Sequence, residues 1–105
     1  MSKILFVCLG NICRSPSAQG VFQAKINKMD LAEQFFIDSA GTAAWHIGKS
    51  PDSRSVQAAQ DRGYDLSALK ARQVEHSDFE YFDYIFAMDT DNLEGLKQAC
   101  PKACL

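Results

Sequence analysis

Apolar runs that read as strands alternate along the whole chain with stretches of helical spacing, and this alternation constrains the fold more than any other feature. KILFV, residues 3–7, is a continuous apolar run with β-branched members, as in a strand buried on both faces. Ser15 and Pro16 then form a helix start, one with an oxygen to cap and the other with a fixed φ. Ala18, Val21, Phe22, Ile26 and Met29 follow at close to 3.6-residue spacing, which lays one helix face on a sheet. QFFIDSAGT (34–42) reads as a second strand that stops near Asp38. SPDSRSVQAAQDRG (50–63) reads as a helix capped by Asp52, with Val56 and Ala59 inward and Gly63 as terminator. FDYIFAMD (82–89) is a third strand, and TDNLEGLKQAC (90–100) a third helix capped by Asp89 or Thr90.

A β-α-β-α-β-α order predicts the α/β class, an open parallel sheet in a three-layer α/β/α arrangement with right-handed crossovers. Ligands of such sheets bind beyond the carboxyl ends of the strands, so Cys8, Asp38, Ser39, Met88 and Asp89 are expected to converge. With 105 residues and no repeat or linker, residues 1–105 are expected to form a single domain. The longest irregular stretch, 41–51, is long enough to be functional.

Net charge and cysteine spacing exclude several classes. A formal charge of −2, with 11 scattered Lys and Arg, gives no basic stripe for nucleic acid. No apolar run approaches about 18 residues, and the start turns polar at Gly10 and Asn11, so no membrane span or export signal is expected and the location is read as cytoplasmic. The default for the four cysteines is then reduced thiols. Cys8-x4-Cys13 and Cys100-x3-Cys104 do not resemble the C-x2-C pairs of zinc sites, and no metal or cofactor is expected. Lys102 stands where prenylation would need a cysteine, so no lipid anchor is expected.

Cys8 begins a loop that leads from a buried strand into a helix amino terminus. Such a loop turns backbone N–H groups inward, and with the helix dipole behind them it binds a phosphate-like oxyanion. Gly10 permits a turn that a side chain would block. Asn11 is also a common turn former. Arg14 adds a planar fork of donors for two oxygens of the anion. The same field favours thiolate over thiol, lowering a cysteine pKa from about 8.5 toward neutrality or below, and Ser15 can donate a further hydrogen bond to the sulfur. An inert, buried cysteine is the commoner role after such a strand, but it does not explain why Gly10, Arg14, Ser15 and Pro16 arrive together.

The Cys-x5-Arg-Ser pattern, here CLGNICRS from Cys8, together with FV before it and PSAQ after it, resembles the low-molecular-weight protein tyrosine phosphatases. DSAGT (38–42), SPDSR (50–54), KARQV (70–74) and FDYIFAMD (82–89) continue the resemblance over essentially the whole chain. It implies hydrolysis of phosphotyrosine through a phosphocysteine, with Cys8 as nucleophile, Arg14 as phosphate clamp and Ser15 assisting the thiolate. Leu9, Gly10, Asn11, Ile12, Cys13 and Arg14 would line the bound phosphate or sulfate. Asn11 would hold the loop's shape, partly through Ser39. Cys13 would be the redox partner of Cys8, forming a reversible disulfide, and Trp45 the aromatic at the pocket rim. The implied partner is a tyrosine-phosphorylated protein, the implied state a monomer or weak dimer, and the implied sheet order 2-1-3-4 in a complete domain, three of those strands being present. His46 and His76 are read as surface residues, and Asp89 as a helix cap.

Family members continue with a fourth strand, a last helix and an Asp-Pro loop whose aspartate protonates the leaving phenolate. No Asp-Pro occurs here, Asp52 following Pro51 in the reverse order. The chain is therefore expected to be the retained part of a longer enzyme and to lack the general acid, which makes a catalytically weak phosphate-binding fragment one alternative. Arsenate reduction is another, although AMDTDN offers no sulfur after the third strand, where related reductases place one. A protein-arginine phosphatase is the third, but Ile12 stands where that subgroup carries threonine.

Overall fold

The computed structural model describes residues 1–12, 14–43 and 46–99, so Cys13, Trp45, Cys100 and Cys104 lie outside the described residues. The apolar run at the amino terminus forms strand β1 (Ser2–Cys8) at the centre of a parallel sheet. β2 (Phe35–Gly41) pairs on one side, from Ser2 opposite Phe35 to Cys8 opposite Gly41. β3 (Tyr84–Ala87) pairs on the other, from Ile4 opposite Tyr84 to Val7 opposite Ala87, which gives the order β2-β1-β3.

Alternation along β1 sends its side chains to two cores. Ile4 packs with Ile37 and with Ile26 of helix α1 (Arg14–Lys28), joined by Phe6, Phe22, Leu31 and Phe35. Leu5 and Val7 point the other way, to Ala40, Phe82 and Leu96, the last on helix α4 (Thr90–Ala99). Burying each such aliphatic side chain is worth about 1.5–3 kcal/mol relative to leaving it exposed. Helices thus cover both faces, as the alternating sequence predicts. Among the described residues, no helix is long and apolar enough to cross a membrane.

Several boundaries differ from the sequence reading. β2 does not stop at Asp38 but runs to Gly41, because the Asp38 side chain leaves the sheet face to meet Arg72 while its backbone stays in the ladder. β3 is confined to Tyr84–Ala87, and Phe82 is a buried plug before it rather than part of it. Met29 lies beyond α1 and is 66% exposed. Asp30 turns there through a φ of 61°, Leu31 N–H closes on Ile26 C=O at 2.7 Å, and Leu31 takes the core position instead. Helix α2 (Ser53–Asp61) is capped as expected, Asp52 accepting from the N–H groups of Arg54 and Ser55, and Gly63 ends it at a φ of 86°. A further helix, α3 (His76–Tyr81), was not legible as one. Its Glu75 and Asp78 side chains each accept from the other's backbone N–H, a reciprocal box built on acids where the familiar pattern begins with Ser or Thr.

Candidate active site

The carboxyl end of β1 and the amino end of α1 bracket residues 8–14, and the strands beside them fix the loop's outward face. Thr42 N–H donates to Cys8 C=O at 3.0 Å, Ala43 N–H to Leu9 C=O at 2.9 Å and Asp52 N–H to Ile12 C=O at 2.5 Å. These bonds turn three of the loop's carbonyls outward, to residues 42, 43 and 52. Asn11 N–H donates to Cys8 Sγ at 3.3 Å. Asn11 adopts a φ of 57°, the left-handed region that Asn tolerates better than most side chains.

Gly41 lets the loop come this close. A Cβ there would stand 2.7 Å from Leu9 C=O oxygen, 3.0 Å from Gly10 C and 3.1 Å from Asn11 N, all backbone atoms. A Cβ on Gly10 would meet His46 Cδ2 at 2.8 Å, so His46 is half-buried against the loop and not the surface residue expected.

Cys8 is 3% exposed and its sulfur lies 3.0 Å from Ser15 Oγ. Ser15 was expected to cap α1, but the helix begins at Arg14 and the hydroxyl belongs to the loop. The Asn11 side-chain amide donates to Ser15 Oγ at 2.8 Å and to Ser39 Oγ at 2.9 Å, and Ser39 Oγ donates to Gln19 Oε1 at 2.6 Å. Asn11, Ser15 and Ser39 are all buried, so this polar chain is closed off from water.

Arg14 lies at the rim, its side chain half exposed, with Nη1 2.6 Å from Asp89 Oδ2. Asp89 Oδ1 accepts from Asn92 N–H at 2.8 Å, which makes Asp89 the cap of α4. Asn92 N–H first, and Arg14 second, hold the Asp89 carboxyl below the usual carboxylate range. The buried Asn92 amide is satisfied at both ends with its nitrogen on Asp89 Oδ1 (3.1 Å) and its oxygen on Leu9 N–H (3.3 Å).

Of the strand ends expected to converge, Ser39 and Asp89 reach the loop and Met88 continues the ladder through its N–H on Val7 C=O. Asp38 does not. It sits on the opposite face of β2, 3.1 Å from Arg72 Nε. Arg72 also grips both oxygens of Asp78, at 2.9 and 3.0 Å. Burial alone would depress its pKa, but Asp78 and Asp38 outweigh burial and hold the guanidinium above its ordinary value.

Arg72, Asn92 and Gln19 escaped the sequence reading because none sits within the Cys8–Ser15 motif. For Arg72 the signal was the KARQV segment, whose contribution runs through a backbone N–H that no pattern of side chains reveals. Among the described residues, no group of three or more side chains could hold a metal ion. A cavity of about 500 Å³ lined by Val56, Gln60, Tyr64, Asp65 and Leu66 contains none of the loop residues, and we place the candidate site at Cys8 on chemistry rather than on volume.

The sequence matches the family described as low molecular weight phosphotyrosine protein phosphatase over residues 3–104. A low molecular weight phosphotyrosine protein phosphatase of Schizosaccharomyces pombe is 48% identical over 95% of this chain and 64% of its own length. A protein tyrosine phosphatase from Entamoeba histolytica, solved with Hepes in its active site, superposes with a TM-score of 0.93 at 47% identity over 99% of this chain and 66% of that one. An arginine phosphatase from Drosophila superposes with a TM-score of 0.86 at 38% identity, over 91% of this chain and 60% of that one. The chain thus spans less than two thirds of the length of each of these relatives.

Proposed function

Because the chain belongs to the low molecular weight phosphotyrosine protein phosphatase family, we propose that its single domain, residues 1–105, carries the phosphate-binding loop and the nucleophile of a protein tyrosine phosphatase. Tyrosine-phosphorylated protein is the substrate class, and no cofactor or metal takes part. The observation that carries this reading is the buried Cys8 sulfur between a strand end and a helix start, with Ser15 Oγ at 3.0 Å and Asn11 N–H at 3.3 Å.

In this reading the N–H groups from Leu9 to Arg14, with Cys13 among them, bind three phosphate oxygens, Leu9 N–H leaving the Asn92 oxygen and Arg14 leaving Asp89 to do so, with Arg14 gripping two of the three. The Cys8 thiolate attacks phosphorus, an S–P bond forms and the P–O bond to the aryl oxygen breaks. Water then attacks phosphorus, releases inorganic phosphate and returns the thiolate, while the Ser15 hydroxyl stabilises it as attacking and leaving group. Asn92 N–H first, and Arg14 second, hold the Asp89 carboxyl below the usual carboxylate range, which favours its role as a helix cap over that of a proton donor. Phosphotyrosine is favoured over phosphoarginine by Ile12, whose hydrocarbon stem offers a guanidinium no polar partner. Trp45 at the rim and Cys13 as redox partner of Cys8 complete the assignment.

Cys8→Ser tests the reading. Aryl phosphate hydrolysis should be lost, whereas orthovanadate or inorganic phosphate, followed by calorimetry, should still bind, because the amides and Arg14 remain. Substantial hydrolysis by Cys8→Ser would remove Cys8 as nucleophile, and loss of anion binding together with retained folding would remove the loop as the phosphate site.

A further inference from the structure

We propose that Arg72 is a positioning residue for Cys8, acting through the side-chain amide of Asn11; the inference rests on the nucleophilic role given to Cys8 above. Asn11 Oδ1 accepts the backbone N–H of Arg72 at 2.9 Å. That contact settles which way the amide faces. Its nitrogen must then donate to both Ser15 Oγ and Ser39 Oγ, at 2.8 and 2.9 Å. Each hydroxyl has one proton to give. Ser39 gives its proton to Gln19 Oε1 at 2.6 Å. Ser15 has Cys8 Sγ at 3.0 Å and Ala40 C=O only at 3.5 Å, so its proton goes to the sulfur.

A half-turn of the amide would reverse this chain. Oδ1 would face the two hydroxyls and draw the Ser15 proton away from sulfur, and Nδ2 would face Arg72 N–H, donor against donor. The thiolate would lose a hydrogen bond that favours its charged form. Arg72 is well placed to forbid the half-turn because its own backbone is pinned from two elements. Its C=O accepts Gly41 N–H at 2.8 Å, and its guanidinium is held by Asp38 of β2 and by both oxygens of Asp78 of α3. The charged and titratable groups facing this relay are Asp38 and Asp78 around Arg72 and Glu75, whose N–H donates to Asp78 at 2.7 Å, while Arg14 with Asp89, His46 against Gly10, and Asp52 beside Ile12 face the loop itself.

The test is the pH dependence of Cys8 alkylation by iodoacetamide, a reaction that needs no leaving-group acid, followed by the mass of the Cys8 peptide in the intact protein. Arg72→Met should raise the midpoint by about one pH unit. Ser15→Ala should raise it too, and the double variant should rise no further than Ser15→Ala alone. Arg72→Lys, which keeps a point charge near Asp78, should restore part of the shift. A merely structural role for Arg72 would add its effect whether or not Ser15 is present, so equal shifts in both backgrounds overturn the proposal. A lowered wild-type midpoint that Arg72→Met leaves in place overturns the positioning role alone, whereas a wild-type midpoint near 8.5 overturns the nucleophile assignment with it.

Should Arg72→Met not fold, amide hydrogen exchange in the wild type and in Asn11→Ala decides the link. Arg72 N–H should exchange about tenfold faster in Asn11→Ala, the equivalent of one hydrogen bond, with Val74 N–H, bonded to Gly41 C=O, unchanged. An unchanged Arg72 rate would overturn it.

Discussion

The two sides of the Cys8–Arg14 loop are held by different physics. Beneath it, Gln19, Ser39, Asn11 and Ser15 form a neutral chain with links of 2.6–2.9 Å, three of the four buried. At its rim, the charged Arg14 and Asp89 meet at 2.6 Å with about half of the Arg14 side chain in solvent. Buried hydrogen bonds are costly to break because the orphaned partner stays dry, while water replaces and screens an exposed ion pair. Shape therefore comes from the buried side and charge from the exposed one. In the proposed function, Arg14 would exchange a carboxylate for an incoming dianion without disturbing the loop.

The sharpest way to break this division is at Gly41. A methyl group at this position points at three backbone atoms of the loop within 2.7–3.1 Å, none of which can rotate aside. Gly41→Ala should destabilise the fold by about 1–3 kcal/mol as an overpacking change. Anion binding should fall further than stability does, since the displaced atoms are those of the loop itself. Thermal melting and phosphate titration measured together check this. A variant with wild-type affinity would show that the loop is not seated on β2.

Ser39→Ala is the next largest. It leaves an Asn11 N–H and Gln19 Oε1 without a partner in a buried site, at a cost of about 1–3 kcal/mol. Ser15 stays in place, so the Cys8 alkylation midpoint should move less than in Ser15→Ala. A larger shift from Ser39→Ala would mean that the chain transmits more from its far end than its geometry implies.

The same division explains what could be read from sequence. The parallel sheet and helices α1, α2 and α4 were legible because apolar spacing and caps such as Asp52 and Asp89 are local signals, whereas the strand order followed only from the family resemblance. Cys8, Arg14, Ser15 and Asn11 were legible because one short segment carries them all. Arg72 was not, since its role depends on a backbone N–H brought to Asn11 across 61 residues. The Leu66 core position was equally hidden. Leu66 is fully buried against α1 at Gly20, where a Cβ would stand 2.2 Å from Leu66 Cδ2, yet its surroundings in sequence, YDLSA, are polar on both sides. Helix α3 is short and depends on Asp78, whose second partner, Arg72, is a tertiary contact.

Asp89→Asn should have the smallest effect, and it tests the exposed side. Asn caps a helix as well as Asp does, so stability near neutral pH should scarcely change. The difference lies in acid. Asn92 N–H and then Arg14 lower the Asp89 pKa in the folded state, so its contribution is fully present above the unfolded value of about 3.9 and is lost as pH falls through the lower, folded value. A plot of melting temperature against pH should therefore fall less steeply for Asp89→Asn than for the wild type below about pH 4, and run parallel above it. Saturating phosphate sharpens the test, because in the proposed function Arg14 then turns to the anion and Asp89 keeps the backbone and side-chain donors of Asn92 without the guanidinium. The gap between the two curves should narrow. If the curves diverge in acid but phosphate leaves the gap unchanged, Asp89 and Arg14 are not coupled in solution and Asn92 N–H alone holds the carboxylate; if they stay parallel throughout the acid range, neither donor does.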